Sequence, residues 1–183
     1  MLSIGDGDTL RVREGSRLRS VRLACIDAPE TSQAPHGARA RAALQALAPV
    51  GAALELRLHS TDRYGRSVAE VFRNGRNLNQ ALVATGAAFV YWHYIRGCDR
   101  QTYSRLESAA RLQRLGVWAS PGGITRPWDH RQARRTGVTQ PRGGPRLTCR
   151  QIGSHARAQE LLRQGHHYLD GDGDGEACES LGS

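Results

Sequence analysis

The 183-residue chain contains no lysine; all 26 of its basic residues are arginine. No window approaches the roughly 18 uninterrupted apolar residues of a membrane-spanning helix, which excludes an integral membrane protein of that kind. Long heptad patterning is absent, and 39% of the residues are apolar, so coiled-coil, collagen-like and wholly disordered classes fail as well. No cysteine pair has the spacing C-x-x-C. The expectation is a folded, water-soluble, basic protein with one main domain and an appendage.

An arginine-only basic set can simply reflect a GC-rich genome. The physical consequence is the same whatever its origin, because guanidinium forks pair bidentately with phosphate and stack on bases better than ammonium groups do. The charge is also unevenly placed. Five of the 17 acids fall in residues 170–183, where there is no arginine, so that tail carries −5 and residues 1–169 carry +14. A basic body points to a polyanion partner, nucleic acid ahead of an anionic membrane.

The four cysteines are Cys25, Cys98, Cys149 and Cys178. Cys149 and Cys178 bracket a C-terminal segment too small for a sizeable core, and they read as its disulfide staple, implying an oxidising compartment. Cys25 reads as a buried apolar residue within a strand, and sequence does not decide whether it pairs with Cys98. His155, His166 and His167 have no zinc-ligand spacing. Met1 lies only a few residues before a strand end, so the chain reads as lacking the start of its first strand, and nothing here resembles a signal segment.

Hydrophobic periodicity predicts strands at Thr9–Arg13 and Arg17–Ile26, with Val21, Leu23 and Cys25 on one face and Arg22 on the other. It predicts a further strand at Leu54–Ser60, with Leu54, Leu56 and Leu58 inward and His59 outward. Ser67–Arg73 is the next strand, ended by an Asn74-Gly75 hairpin turn. Helices are predicted at His36–Ala48, Leu78–Thr85, Thr102–Leu115 and Ser154–Gln164, and Phe89–Tyr94 reads as an extended aromatic stretch. Residues 119–146 hold four of the seven prolines and six arginines against one acid, which reads as a basic, poorly packed linker. Short strands interleaved with short helices suggest a small closed β-barrel with helices outside, an α+β arrangement.

Asp8 follows a glycine turn, and Asp27 and Glu30 stand where the next strand leaves the sheet. A hairpin can bring these stretches together. Carboxylates so clustered repel one another unless a hard cation such as Ca²⁺ sits among them. Arg22 and Arg66 supply fixed positive charge, and a cation, two arginines and a spare carboxylate are the parts that phosphodiester hydrolysis requires. On spacing alone, the plainer alternative of turn aspartates and a strand-surface arginine stays open.

Ile4-Gly5-Asp6-Gly7-Asp8-Thr9, Val21-Arg22-Leu23-Ala24-Cys25-Ile26-Asp27-Ala28-Pro29-Glu30-Thr31 and Asp62-Arg63-Tyr64-Gly65-Arg66 together resemble the three signatures of the staphylococcal nuclease (thermonuclease) family. The resemblance continues through Asn79-Gln80-Ala81-Leu82-Val83 and Gly116-Val117-Trp118, covering about residues 2–118. It implies a five-stranded OB-fold nuclease barrel with three helices. It also implies a Ca²⁺ site built from Asp8, Asp27 and the Ala28 carbonyl, Glu30 as general base, and Arg22 and Arg66 on the phosphate. Products would carry a 3′-phosphate. Tyr64, Trp92 and Tyr94 stand where the family flanks the nucleotide, Trp92 being a departure in residue type, whereas Phe89 and Tyr91 read as core. Stacking on bases suits unpaired strands with little sequence preference.

In the acidic tail, Asp170, Asp172, Asp174 and Glu176 take positions 1, 3, 5 and 7 of a calcium loop, but position 12 is Leu181, so Glu179 must close the shell. This D-x-D-x-D-G-x-x-C-E pattern resembles the excalibur module, an extracellular calcium-binding domain. It implies a second, structural Ca²⁺ on Asp170, Asp172, Asp174 and Glu179, with Glu176 contributing its carbonyl. The expected organisation is therefore a nuclease domain at 1–118, a linker at 119–146 and a disulfide-stapled helix and calcium-loop module at 147–183. The whole reads as a secreted or periplasmic, monomeric Ca²⁺-dependent nuclease acting on DNA and RNA, single strands preferentially. The alternatives are a catalytically weak nucleic-acid-binding barrel and a calcium-dependent surface-attachment protein.

Overall fold

The computed structural model describes residues 1–136, 147–163, 166, 169–170 and 176–181. Backbone contacts divide the chain into two units, Met1–Ile124 and Thr125–Ser183.

In the first unit the strands are β1 (Ser3–Ile4), β2 (Thr9–Glu14), β3 (Arg17–Leu23), β4 (Ile26–Asp27), β5 (Glu55–Thr61), β6 (Ser67–Arg73), β7 (Arg76–Asn77) and β8 (Phe89–Val90). The helices are α1 (His36–Leu47), α2 (Leu78–Ala84) and α3 (Arg100–Leu112). One sheet runs β1-β2-β3-β6-β5, with β7 on β6; β4 and β8 form a separate pair. All pairings are antiparallel except β3 with β6, where Val21 faces Ser67 and Leu23 faces Ala69. Alternation places Leu10, Val12, Val21 and Leu23 in the core, where Leu44, Leu78, Leu82 and Tyr103 from the helices meet them. The Asn74-Gly75 turn has positive φ at both residues, 51° and 75°, which matches the twist of the two strands it joins.

Three expectations need correction. The strand from Arg17 to Ile26 breaks, because Cys25 turns at φ 64° and Ile26–Asp27 leave the main sheet to pair with Phe89–Val90. In β5 the register shifts between Leu58 and Ser60. Leu58 keeps the face of Leu56, opposite Ala69, yet is 56% exposed. His59, on the side of Arg57, is largely covered, and the Arg57 and His59 side chains each lie 3.5 Å from the buried Glu70 carboxylate. The aromatic stretch is extended only at Phe89–Val90, after which Trp92–Tyr94 form a 3₁₀ turn. The pairing that the sequence leaves open is present: Cys25, buried as expected, is joined to Cys98 as a disulfide. The α+β character holds. No strand pairing joins β5 to β1; backbone bonds from Met1 N–H to the Ala52 carbonyl and from Gly51 N–H to the Met1 carbonyl link those regions instead.

The second unit contains α4 (Pro127–Thr136), α5 (Cys149–Ile152) and α6 (His155–Arg163). α4 falls within the segment read as linker. Pro127 is suited to a first helical position, and the charges follow the helix dipole, with Asp129 in the first turn and Arg134 and Arg135 in the last. Thr148 and Gln151 form a reciprocal capping box on α5. Ala158, Leu161, Leu162, Leu169, Ala177 and Cys178 make a small core, closed by the Cys149–Cys178 disulfide. Among the described residues no helix is long and apolar enough to cross a membrane.

The parallel seam between β3 and β6 is pinned by one side chain. Asn79, fully buried, accepts the Val71 N–H and donates to the carbonyls of Ala24 and Ala69. Asn79→Ala strands these groups in an apolar interior, and each such loss costs about 1–3 kcal/mol. Urea unfolding is expected to show a total loss of about 3 kcal/mol, and a loss below about 1 kcal/mol would refute the pinning role.

Candidate functional site

Two close approaches of backbone shape the site. A Cβ on Gly7 would stand 2.6 Å from the Cβ atoms of both Ala28 and Ala40, so the turn before Asp8 packs directly on the loop after β4 and on α1. A Cβ on Gly37 would lie 2.1 Å from the Glu30 carbonyl oxygen, so Glu30's backbone rests on the first turn of α1. Glycine at both positions lets the loop carrying Asp27, Ala28 and Glu30 sit against the turn carrying Asp8.

Asp8 and Asp27 are almost fully buried, at 2% and 0% exposure. Asp8 Oδ2 accepts the Ala28 N–H at 2.6 Å, and the Leu23 N–H reaches the Asp8 carbonyl at 2.8 Å, which locks the end of β3 to the start of β2. Arg22 joins both carboxylates, with Nη1 on Asp8 and Nη2 2.5 Å from Asp27 Oδ1. Three charged groups from two strands and a loop therefore converge in a site largely closed to water. Such a trio holds only because charge is paired within it; unpaired, each buried carboxylate would cost several kcal/mol.

Glu30 is partly exposed, and its N–H is bonded by the Gln33 side chain at 3.0 Å. Arg66 directly precedes Ser67, which faces Val21 across the parallel seam, so its backbone lies beside the strand carrying Arg22. Asp62 clamps it. Its Oδ2 accepts from Arg66 Nε at 2.7 Å, and its Oδ1 accepts the backbone N–H groups of Tyr64 and Arg66 at 2.9 and 3.0 Å. Burial works against the Asp62 carboxylate, but these N–H groups and the guanidinium outweigh it and hold its pKa below the ordinary value. The sequence reading passed over Asp62, although an Asp opening a D-x-x-G turn is the usual signal of a side chain that bonds backbone N–H groups two residues on.

Tyr64 and Tyr94 are exposed, at 65% and 60%. The Arg66 guanidinium lies 5.6 Å from the Tyr64 ring centroid, and Tyr94 packs edge-on against Tyr91 and His93 at 4.9 and 4.7 Å. Trp92 is more committed. Its indole N–H donates to Glu107 Oε2 at 3.0 Å, and Arg100 covers the ring at 5.3 Å. Glu107 also receives the Val90 N–H at 2.9 Å, so this residue of α3, missed in sequence, fixes the whole aromatic segment.

In the second unit Asp170, Glu176 and Glu179 are described, whereas Asp172 and Asp174 lie outside the described residues. Glu176 Oε1 stands 3.3 Å from His155 Nε2.

The donor chemistry at Asp8 and Asp27 fits a hard cation. It consists of anionic oxygens, deeply buried, with an adjacent backbone segment able to add carbonyl oxygen. Arg22→Ala leaves both carboxylates unbalanced. In chelator the variant is expected to lose about 3 kcal/mol of unfolding free energy, with part of the loss restored by millimolar Ca²⁺. Calorimetric melting checks this, and equal stability of variant and wild type would contradict it.

Residues 20–120 match the family described as Staphylococcal nuclease homologue, and residues 146–179 match the Excalibur calcium-binding domain. Micrococcal nuclease of Shigella flexneri is 38% identical over 144 residues, covering 73% of this chain and 79% of that protein. Staphylococcal-like nuclease CAN1 of Arabidopsis thaliana is 34% identical over 117 residues, and an uncharacterized 38.1 kDa protein of Capnoides sempervirens is 37% identical over 122 residues. These matches cover 64% and 67% of the chain, which spans 34% of the length of each plant protein.

Proposed function

The chain belongs to the staphylococcal nuclease homologue family, and on that premise we propose that it is a Ca²⁺-dependent phosphodiesterase cleaving DNA and RNA with little sequence preference. The observation that carries the reading is the convergence of Arg22 with the buried carboxylates of Asp8 and Asp27. On this reading the mixed sheet serves as an OB-type barrel, and Asp8, Asp27 and the Ala28 carbonyl hold the ion. Bound Ca²⁺ supplies positive charge next to a phosphoryl oxygen. Glu30 takes a proton from a water molecule, whose oxygen attacks phosphorus in line with the 5′ oxygen. The P–O5′ bond breaks, the 5′ oxygen takes a proton from solvent and leaves as a hydroxyl, and a 3′-phosphate end remains. Arg22 and Arg66 hold the charge that builds on the equatorial oxygens, where fixed donors are most effective. The Asp62 clamp keeps the Arg66 guanidinium from having to order itself during the reaction.

Exposed Tyr64 and Tyr94 offer stacking faces for unpaired bases, which favours single strands. Trp92, tied to Glu107 and covered by Arg100, serves to hold that surface more than to stack on substrate. Arginine at every basic position adds a long-range attraction for the polyanion. In the C-terminal unit, Asp170, Asp172, Asp174 and Glu179, with the Glu176 carbonyl, take a second Ca²⁺ that is structural, as the Excalibur match supports. Two disulfides together with that module favour a secreted or periplasmic protein acting as a monomer.

Digestion of single-stranded DNA with Ca²⁺ or EDTA tests the mechanism. Glu30→Ala and Arg66→Ala are each expected to slow cutting by about 10²-fold or more, and chelator is expected to abolish it. Equal cutting by all samples would overturn the reading, and binding without cutting by the wild type would favour a binding module.

A further inference from the structure

The bulge in β5 has a chemical consequence away from the carboxylate site. Its extra residue, His59, lies at the Cys25–Cys98 disulfide, and a nitrogen of His59 and the two sulfur atoms all lie within 4.8 Å of one another. The imidazole is held between two groups. A Cβ placed on Gly97, next to Cys98, would lie 2.9 Å from Nδ1, so that nitrogen faces the cysteine loop. Nε2 is buried, lacks a hydrogen bond, and stands 3.5 Å from Glu70 Oε2. Glu70 is itself buried and fixed by the Tyr103 hydroxyl at 3.2 Å and the Asn77 amide at 2.7 Å.

Two sulfurs, one imidazole nitrogen and a carboxylate behind the ring form the donor set of a thiolate–imidazole zinc site, in which the carboxylate orients the histidine. The Cα atoms of Cys25 and Cys98 are 6.5 Å apart, near the upper end of the range a disulfide spans. Two thiolates on those backbones have room to accept an ion at the ~2.3 Å sulfur–zinc distance. Hard Ca²⁺ does not compete for such ligands.

We propose that Cys25, Cys98 and His59 form a Zn²⁺ site available only in the reduced protein, mutually exclusive with the disulfide. The chemistry balances. A dithiol reductant passes two electrons and two protons to the S–S bond, giving two cysteine thiols and the reductant's own disulfide. Zn²⁺ then binds as the two thiol protons leave, and His59 binds through a neutral nitrogen. The ion replaces the covalent bond with a clamp between the same two stretches, the end of β3 and the loop after the Trp92–Tyr94 turn. Tyr91 N–H, just before that turn, already reaches the Cys25 carbonyl at 2.9 Å, so the segment leading to Cys98 meets the end of β3 without the sulfur link. The metal therefore completes an existing contact and does not have to create one.

Zn²⁺ uptake by full-length protein, measured by competition with a chromophoric chelator, tests this in oxidised and reduced samples. The reduced wild type is expected to bind one Zn²⁺ that the oxidised protein does not. Reduced Cys149→Ser should keep it, His59→Ala should weaken it at least tenfold, and Cys25→Ser should lose it. Should a variant fail to fold, alkylation of the reduced wild type gives an independent answer: Zn²⁺ is expected to protect Cys25 and Cys98 and leave Cys149 and Cys178 reactive. Uptake that is equal in oxidised and reduced protein, that survives Cys25→Ser, or that protects only Cys149 and Cys178 would overturn the proposal.

Discussion

Two carboxylates cannot share a dry interior without a cation between them, and most of the first unit's architecture serves that condition. Asp8 at the start of β2 and Asp27 on β4 are brought together because the β2–β3 hairpin returns the chain beside its own beginning, and because β3 ends in a sharp turn at Cys25. Arg22 stands between them on the intervening strand and carries the compensating charge. The glycines at 7 and 37 allow the backbones to approach closely enough, and Asn79 satisfies the polar groups left where the parallel seam ends. Packing, polar pairing and electrostatics thus agree at one place, the mark of a locally consistent fold.

Around this centre, polar side chains hold functional groups to rigid elements. Asp62 fixes Arg66 within its own turn, and Glu107 on α3 fixes Val90 and Trp92. The Cys25–Cys98 disulfide ties the aromatic segment's loop to the chain just before Asp27. Phosphoryl transfer depends on positioning and fixed charge more than on covalent chemistry, so on the proposed function such restraints are where the rate is gained. The second unit solves a different problem. Its apolar cluster is small, so a disulfide supplies stability that burial alone does not.

Much of this was legible in the sequence because the signals were local. Helix positions followed from periodicity and stop residues, and the Asn74-Gly75 hairpin from turn chemistry. The gathering of Asp8, Arg22 and Asp27 followed from motif order and one hairpin. What escaped depended on tertiary context. Period-two alternation gives faces but not burial, so it carries no sign that Leu58 lies exposed or that His59 is covered by the cysteine loop. Whether Cys25 pairs with Cys98 stayed open, because two residues 73 apart meet only through the folding of the chain between them. The helix at Pro127–Thr136 was hidden by the proline and arginine content that made its neighbourhood look like linker. Glu107 carried no signal at all, because its role arises only when α3 lies beside β8.

On the proposed function, Asp8 and Asp27, gathered around Arg22, form a hard-cation site separate from that of the acidic tail. Ca²⁺ binding by the full chain, measured calorimetrically for wild type and for Asp27→Asn, tests it most directly. The account predicts two classes of site in the wild type and loss of one in the variant, with the tail site unchanged. Identical stoichiometry and affinity in both proteins would contradict it.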